Sequence, residues 1–221
     1  MKYIKLFPFI VLFTVLIASC SKKSNLGKMV PKEAAMIIEF NTKSLLSKVS
    51  WDEIKNTQWY NELMSDSAIP VTSKAFINDP AKTGIDVKSN IVFFILKPNN
   101  AGQAVVEGSL KDSKAFSDFV KSMLPNAPVT KEGELNMLKT DTSVIGWNDE
   151  RFAFITSSDY RKFQRDSLND SSFSPIPLAP VSPDTLVSVC KRLFSLNDDN
   201  SLYKNEKFAK LIDEEGDIHS G

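Results

Sequence analysis

Histidine is almost missing from this chain, cysteine occurs twice and glycine only eight times in 221 residues. The one histidine, His219, stands beside the C-terminus. Its isolation excludes a Ser-His-Asp triad, an H-E-x-x-H zinc site and any His-rich metal cluster. The glycines nowhere form G-x-G-x-x-G or a P-loop, so the backbone cradle that phosphate-bearing cofactors use is absent. No cofactor and no metal site is expected. Charge of one sign is lacking too, with 27 Lys and Arg against 27 Asp and Glu. Without a basic field, a nucleic-acid partner is not expected. Long hydrophobic runs are limited to one, "LFPFIVLFTVLIA" from Leu6 to Ala18. As a helix it would reach roughly 20 Å, short of the ~30 Å hydrocarbon core, so a permanent transmembrane helix is not expected.

That run reads instead as the h-region of an export signal, with Lys2 and Lys5 as its positive n-region. Ile17-Ala18-Ser19 is followed at once by Cys20. A small-residue tripeptide ending an h-region just before a cysteine resembles the bacterial lipobox, in which the cysteine sulfur receives a diacylglycerol and the cysteine, after cleavage, becomes the first residue of the mature chain. Cys20 is therefore the expected lipidation site, and the membrane is the partner expected through that anchor. One acyl chain holds a protein marginally and two or three hold it stably. The tether "SKKSNLGKMV", residues 21–30, spans at most ~35 Å when stretched, which keeps the folded part close to the bilayer. Ser21 is not the aspartate associated with inner-membrane retention. The expected location is the outer membrane, lipid-anchored and facing the periplasm.

With Cys20 acylated, Cys190 has no partner and no structural disulfide is expected. In "DTLVSVCKRLF", Leu186, Val189, Cys190, Leu193 and Phe194 recur at helical spacing, so Cys190 reads as a small core residue of a helix started by Ser182-Pro183.

The mature chain has the composition of a globular protein. Ala35–Phe40 is an apolar run of strand length, and Asn41 or Thr42 caps a helix carrying Leu45, Leu46 and Val49. "WDEIKNTQWYNELMS" predicts one further helix, and "NDPAKTGID" a turn. "NIVFFILKP" is apolar throughout, as a strand covered on both faces would be, and "QAVVEGSL" is its hairpin partner. "DSKAFSDFVKSMLP" is the clearest helix, capped by Asp112 and stopped by Pro125. "GELNMLKT", "TSVIGWN" and "RFAFITS" predict three more strands, the last two joined at Asn148-Asp149. The expected fold class is α+β, a mainly antiparallel sheet with helices on one face and a split βαβ character, followed by a helical C-terminal unit. The expected organisation is a signal peptide at 1–19, the lipidated cysteine and tether at 20–30, an α+β domain at 31–160, a Pro/Ser-rich connector at 161–182 and a helical, possibly truncated segment at 183–221. That last segment either packs on the first domain or belongs to an incomplete second unit.

"VPKEAAMIIEFNTKSLLSK", "DPAKTGIDVKSNIVFFI" and "SLYKNEKFAKLIDEEGDIH" together resemble an uncharacterised domain-of-unknown-function family of bacterial envelope lipoproteins. The shared features are structural: a proline before the first strand, a capping Asn or Thr after it, and the turn Thr83-Gly84-Ile85-Asp86 before a buried strand. The resemblance implies no catalytic residues. It also implies a chain that continues past the point corresponding to Ile218.

The remaining acidic clusters, Asn148–Glu150, Asn197–Asn200 and Asp213–Asp217, read as polar turns or a helix end rather than calcium loops, since the spacing of a calcium loop is not met. Trp51 and Trp59 flank one helical stretch and, if exposed together, would mark a binding surface. Three functions follow as expectations. The first is a non-catalytic, lipid-anchored domain binding a protein or glycan partner, which requires an exposed apolar patch. The second is a carrier or sensor of an apolar ligand, which requires a cavity between sheet and helices. The third, a two-carboxylate hydrolase, requires an acidic pair in a cleft.

Overall fold

A computed structural model describes residues 27–67, 71–96, 102–158, 181–208 and 217–220. Cys20, the signal run, the tether as far as residue 26, the connector 161–180 and the Asp213–Gly216 helix end lie outside the described residues.

Short runs rich in apolar and β-branched residues form the strands, and hydrogen bonding joins them into one antiparallel sheet. The strands are β1 (Met36–Phe40), β2 (Ile91–Leu96), β3 (Gly102–Ser109), β4 (Val129–Glu132), β5 (Leu135–Lys139), β6 (Ser143–Trp147), β7 (Arg151–Ser158) and β8 (Ile218–Ser220). Their spatial order is β4-β5-β6-β7-β3-β2-β1-β8. The helices are α1 (Thr42–Lys48), α2 (Trp51–Lys55), α3 (Gln58–Ser65), α4 (Val71–Asn78), α5 (Ser113–Met123) and α6 (Pro183–Phe194), with 3-10 turns at Pro80–Thr83 and Leu202–Lys204.

The α+β architecture expected from the sequence is the one found. On the first face of the sheet, Phe116 and Val120 of α5 pack against Leu138, Ile145, Trp147 and Phe152. Phe76 of α4 meets Phe119 of α5 with ring centroids 4.8 Å apart, so the α1–α4 run joins the same layer. The C-terminal helix α6 covers the second face. Its Leu186, Val189, Cys190 and Leu193 join Val144, Ala153 and Ile155 in the larger core cluster. This close approach needs Gly146, because a Cβ there would collide with the Cys190 sulfur and lie 3.1 Å from Phe194 Cε2.

Cross-strand register sets one row of side chains on that second face: Met137, Gly146, Ala153, Glu107, Val92 and Glu39, running from β5 to β1. An arm, Gly27–Pro31, lies over its β1–β3 end. Met29 and Val30 are buried in the same cluster as Leu202 and Phe208, and the Leu202 N–H donates to the Val30 carbonyl at 2.9 Å.

Five elements differ from the sequence reading. The expected single helix over Trp51–Ser65 is two, because Asn56 and Thr57 leave the helix and the Thr57 hydroxyl accepts from the Tyr60 N–H as a new N-cap. Helix α4 and strand β4 went unread. Three of the four residues of β4 are exposed, so its "VTKE" carries no alternation to detect. Near the C-terminus, where the composition predicts a frayed tail rather than a strand, His219 stands in β8 at the register position opposite Glu39. The spacing in "SLYKNEKFAKLIDEEG" predicts a further helix, yet its start, Leu202–Lys204, is a 3-10 turn that the Ser201 hydroxyl caps by accepting from the Tyr203 N–H.

Asp112 caps α5 as read, its Oδ1 accepting from the Ala115 N–H at 2.9 Å. Asp112→Ala should lower stability by about 1 kcal/mol, seen as a lower urea midpoint with unchanged slope. An unmoved midpoint would mean that the cap contributes nothing.

Candidate functional site

Two of the acidic clusters are turns. Asn148 Oδ1 accepts from the N–H groups of Glu150 and Arg151 at 3.0 and 2.9 Å, which closes the β6–β7 hairpin. Asn197 Oδ1 accepts from Asn200 N–H at 2.9 Å, and Asp198 pairs with Lys204 at 3.4 Å. Among the described residues, no three or more His, Cys, Asp or Glu side chains could hold a metal ion, and no helix is long and apolar enough to cross a membrane.

Cys190 is fully buried on α6. Burial pushes its thiol up to about 12, against a small opposing pull from the Lys191 cation. The thiolate is the nucleophile, so this cysteine is inert at neutral pH. Iodoacetamide at pH 8 should leave Cys190 unmodified in the native protein and label it in urea. Rapid native labelling would show that α6 opens.

The two candidate tryptophans are separated by the helix break. Trp59 is 62 % exposed on α3. Trp51, on α2, is half-buried; its Nε1–H donates to the Asn78 carbonyl at 3.1 Å and its ring meets Tyr60 edge-on. The Tyr60 hydroxyl bonds to Asn78 Oδ1 at 3.1 Å, so Asn78 at the end of α4 fixes both aromatic rings. The expectation that Trp51 and Trp59 would share one surface therefore rests on a helix that the chain does not form.

Trp51 is instead one wall of a groove of about 440 Å³. Helix α1 supplies Leu45 and Leu46, α2 supplies Ile54 with Trp51, the 3-10 turn supplies Pro80 and Ala81, and Ile91 of β2 forms part of the lining together with Val87. The volume lies within the range of small-ligand sites. Its polar atoms are few and engaged. Thr42 Oγ1 donates to the Ser89 carbonyl at 2.7 Å, and the carboxylate of Asp79 pairs with Lys82 at 3.4 Å. Nothing in this lining can act as acid, base or nucleophile except Asp79. The groove is thus suited to excluding water from an apolar surface rather than to bond chemistry.

Carboxylates do meet elsewhere. Glu39 and Glu107 stand on the same face with the fully buried Val92 between them, roughly 9.5 Å apart by strand spacing. Both are buried, and Asn90 Nδ2 donates to Glu39 Oε1. Both carboxylates point into the packed second face of the sheet, at its β1–β3 end. Sequence inspection missed the pair because each glutamate sits in an otherwise apolar strand far from the other in the chain. A charged residue at an inward-facing strand position was the available signal.

A family model described as a domain of unknown function (DUF4836) matches residues 27–172. The groove lies wholly inside the matched stretch; Cys20 and α6 lie outside it. No curated protein and no solved structure matches the chain.

Proposed function

The chain belongs to that DUF4836 family, and from this premise we propose a non-catalytic, lipid-anchored domain of the bacterial outer envelope that holds an acyl chain in the groove between α1, α2 and β2. The observation that carries the reading is the groove's chemistry. A glycan needs many hydrogen-bond partners, and a peptide laid along the groove would leave amides unpaired at about 1–3 kcal/mol each. The lining offers neither: the Thr42 hydroxyl and the Trp51 N–H already have acceptors. An acyl chain brings no polar group into the groove. The anchor at Cys20 rests on the lipobox resemblance, and the outer-membrane address on Ser21.

The test is titration of a fluorescent long-chain fatty acid into the unlipidated Cys20→Ser chain. Saturable binding is expected. Ala81→Trp, which fills the groove from an exposed position, and Ile54→Asp, which charges its wall, should each weaken it at least about tenfold, or 1.4 kcal/mol. Equal affinity in wild type and both variants would remove the groove as the site. Separately, mass spectrometry of the mature N-terminal peptide should find acyl chains on Cys20, and an unmodified cysteine there ends the anchored reading.

A further inference from the structure

On the face away from the groove, one buried carboxylate is used in a way that neither packing nor ligand binding explains. Glu107 is the central member of its cross-strand row, in β3, between Ala153 and Val92. It accepts a hydrogen bond from the backbone N–H of Gly27, the first described residue of the arm. Gly27 has φ +79°, and a Cβ there would lie 2.6 Å from the Phe208 ring, so the arm is pressed between the sheet and the Leu202–Phe208 segment. Two backbone hydrogen bonds stitch the arm to that segment, Lys32 N–H to Asn200 carbonyl at 3.1 Å and Leu202 N–H to Val30 carbonyl at 2.9 Å.

We propose that Glu107 is a protonation-gated clamp on the arm Gly27–Pro31, closing the arm when its carboxyl takes up a proton and loosening it when the proton leaves. The reason is desolvation. With the arm closed, the carboxyl is buried and one of its oxygens, Oε2, has no hydrogen-bond partner among the described residues. With the arm lifted, the carboxylate is hydrated. The closed state therefore binds the proton more tightly, and by linkage the proton favours the closed state. The charges around it do not cancel this. Arg151 of β7 stands diagonally across on the same face and pulls towards ionisation. Glu39 of β1 lies beyond Val92 and is engaged by Asn90. On the arm and its covering segment, Lys28 sits over the Tyr203 ring, 4.9 Å from its centroid. On α6, Lys191 and Arg192 are paired with Glu132 and Glu33. Burial outweighs Arg151 and pushes Glu107 up to about 7. The clamp itself is independent of the anchor. Its consequence rests on the anchored reading: five loosened residues would add up to roughly 18 Å to the reach of the domain from the bilayer.

Hydrogen exchange of the full-length lipidated protein in detergent between pH 5 and pH 8 tests this. After correction for the base-catalysed intrinsic rate, protection of the Lys32 and Leu202 amides should fall about 10- to 100-fold as pH rises from 5 towards 7 and level off above 7, while β6 and β7 amides keep theirs. Glu107→Gln should hold the arm amides at the acid-side protection throughout. Should that variant not fold, Arg151→Gln serves, and its transition should move to higher pH. A flat wild-type profile, an unchanged slope in Glu107→Gln, or an unmoved midpoint in Arg151→Gln each overturns the clamp. Repeating the profile with Cys20→Ser separates clamp from anchor: loss of lipid must leave the profile unchanged, and a profile that vanishes with the lipid refutes a gate built on Glu107.

Discussion

Gly84→Ala should cost about 3–5 kcal/mol of stability, lowering the melting temperature by roughly 10 °C. Gly84 ends the Pro80–Thr83 turn with φ +78°, a conformation that costs a residue bearing a Cβ about 1–2 kcal/mol. The larger penalty is steric. A Cβ at this position would overlap the Asp112 carbonyl and lie 2.6 Å from the Phe116 amide, both backbone atoms at the start of α5. Neither can rotate away as a side chain could. Gly84 also accepts from the N–H groups of Lys111 and Asp112 at 2.8 and 3.1 Å, so the same contact fastens the turn to the helix. Gly133 is the internal control. Its φ is +58° and no atom lies within 4 Å of its Cβ position. Gly133→Ala should cost only about 1 kcal/mol, the conformational part alone. Equal urea midpoints for the two variants would show that the Gly84 approach is looser than drawn.

The stability of the whole protein should fall by about 3 kcal/mol between pH 4.5 and pH 8 through Glu107 alone. Its carboxyl is raised from 4.5 to about 7 in the folded protein, first by burial and against the opposing pull of Arg151 and the Gly27 N–H. The sign follows from that direction. Below 4.5 the glutamate is protonated in both states and the stabilisation is fully present. As pH rises towards 7, the unfolded chain ionises while the folded one resists. Above 7 the stabilisation is gone. Glu107→Gln cannot ionise, so its stability relative to wild type should improve as pH rises. Chemical denaturation of both proteins at pH 5 and pH 8 measures this difference. A gap that stays constant with pH would mean that Glu107 titrates as an exposed carboxylate does.

Local chemistry explains what could be read without coordinates. The Asp112 and Ser182 caps, the stripe of α5, the helical spacing around Cys190 and the short apolar runs of β5 to β7 all depend on neighbours within a few residues. A signal of that range is present in the chain itself. The break at Asn56-Thr57 and the exposed strand β4 were not legible, because the first needs a choice between two competing caps and the second has no buried face to impose a period.

Sequence by itself determined the α+β class, the hairpin order of β5 to β7 and the burial of Cys190, because periodicity and caps are properties of short segments. Only the tertiary structure decided that Leu45, Trp51, Pro80 and Ile91 share one groove, and that Glu39, Val92 and Glu107 share one row. These residues are brought together by strand register and by which helix face meets the sheet. Such pairings hold over tens of residues of intervening chain, and no local pattern encodes them.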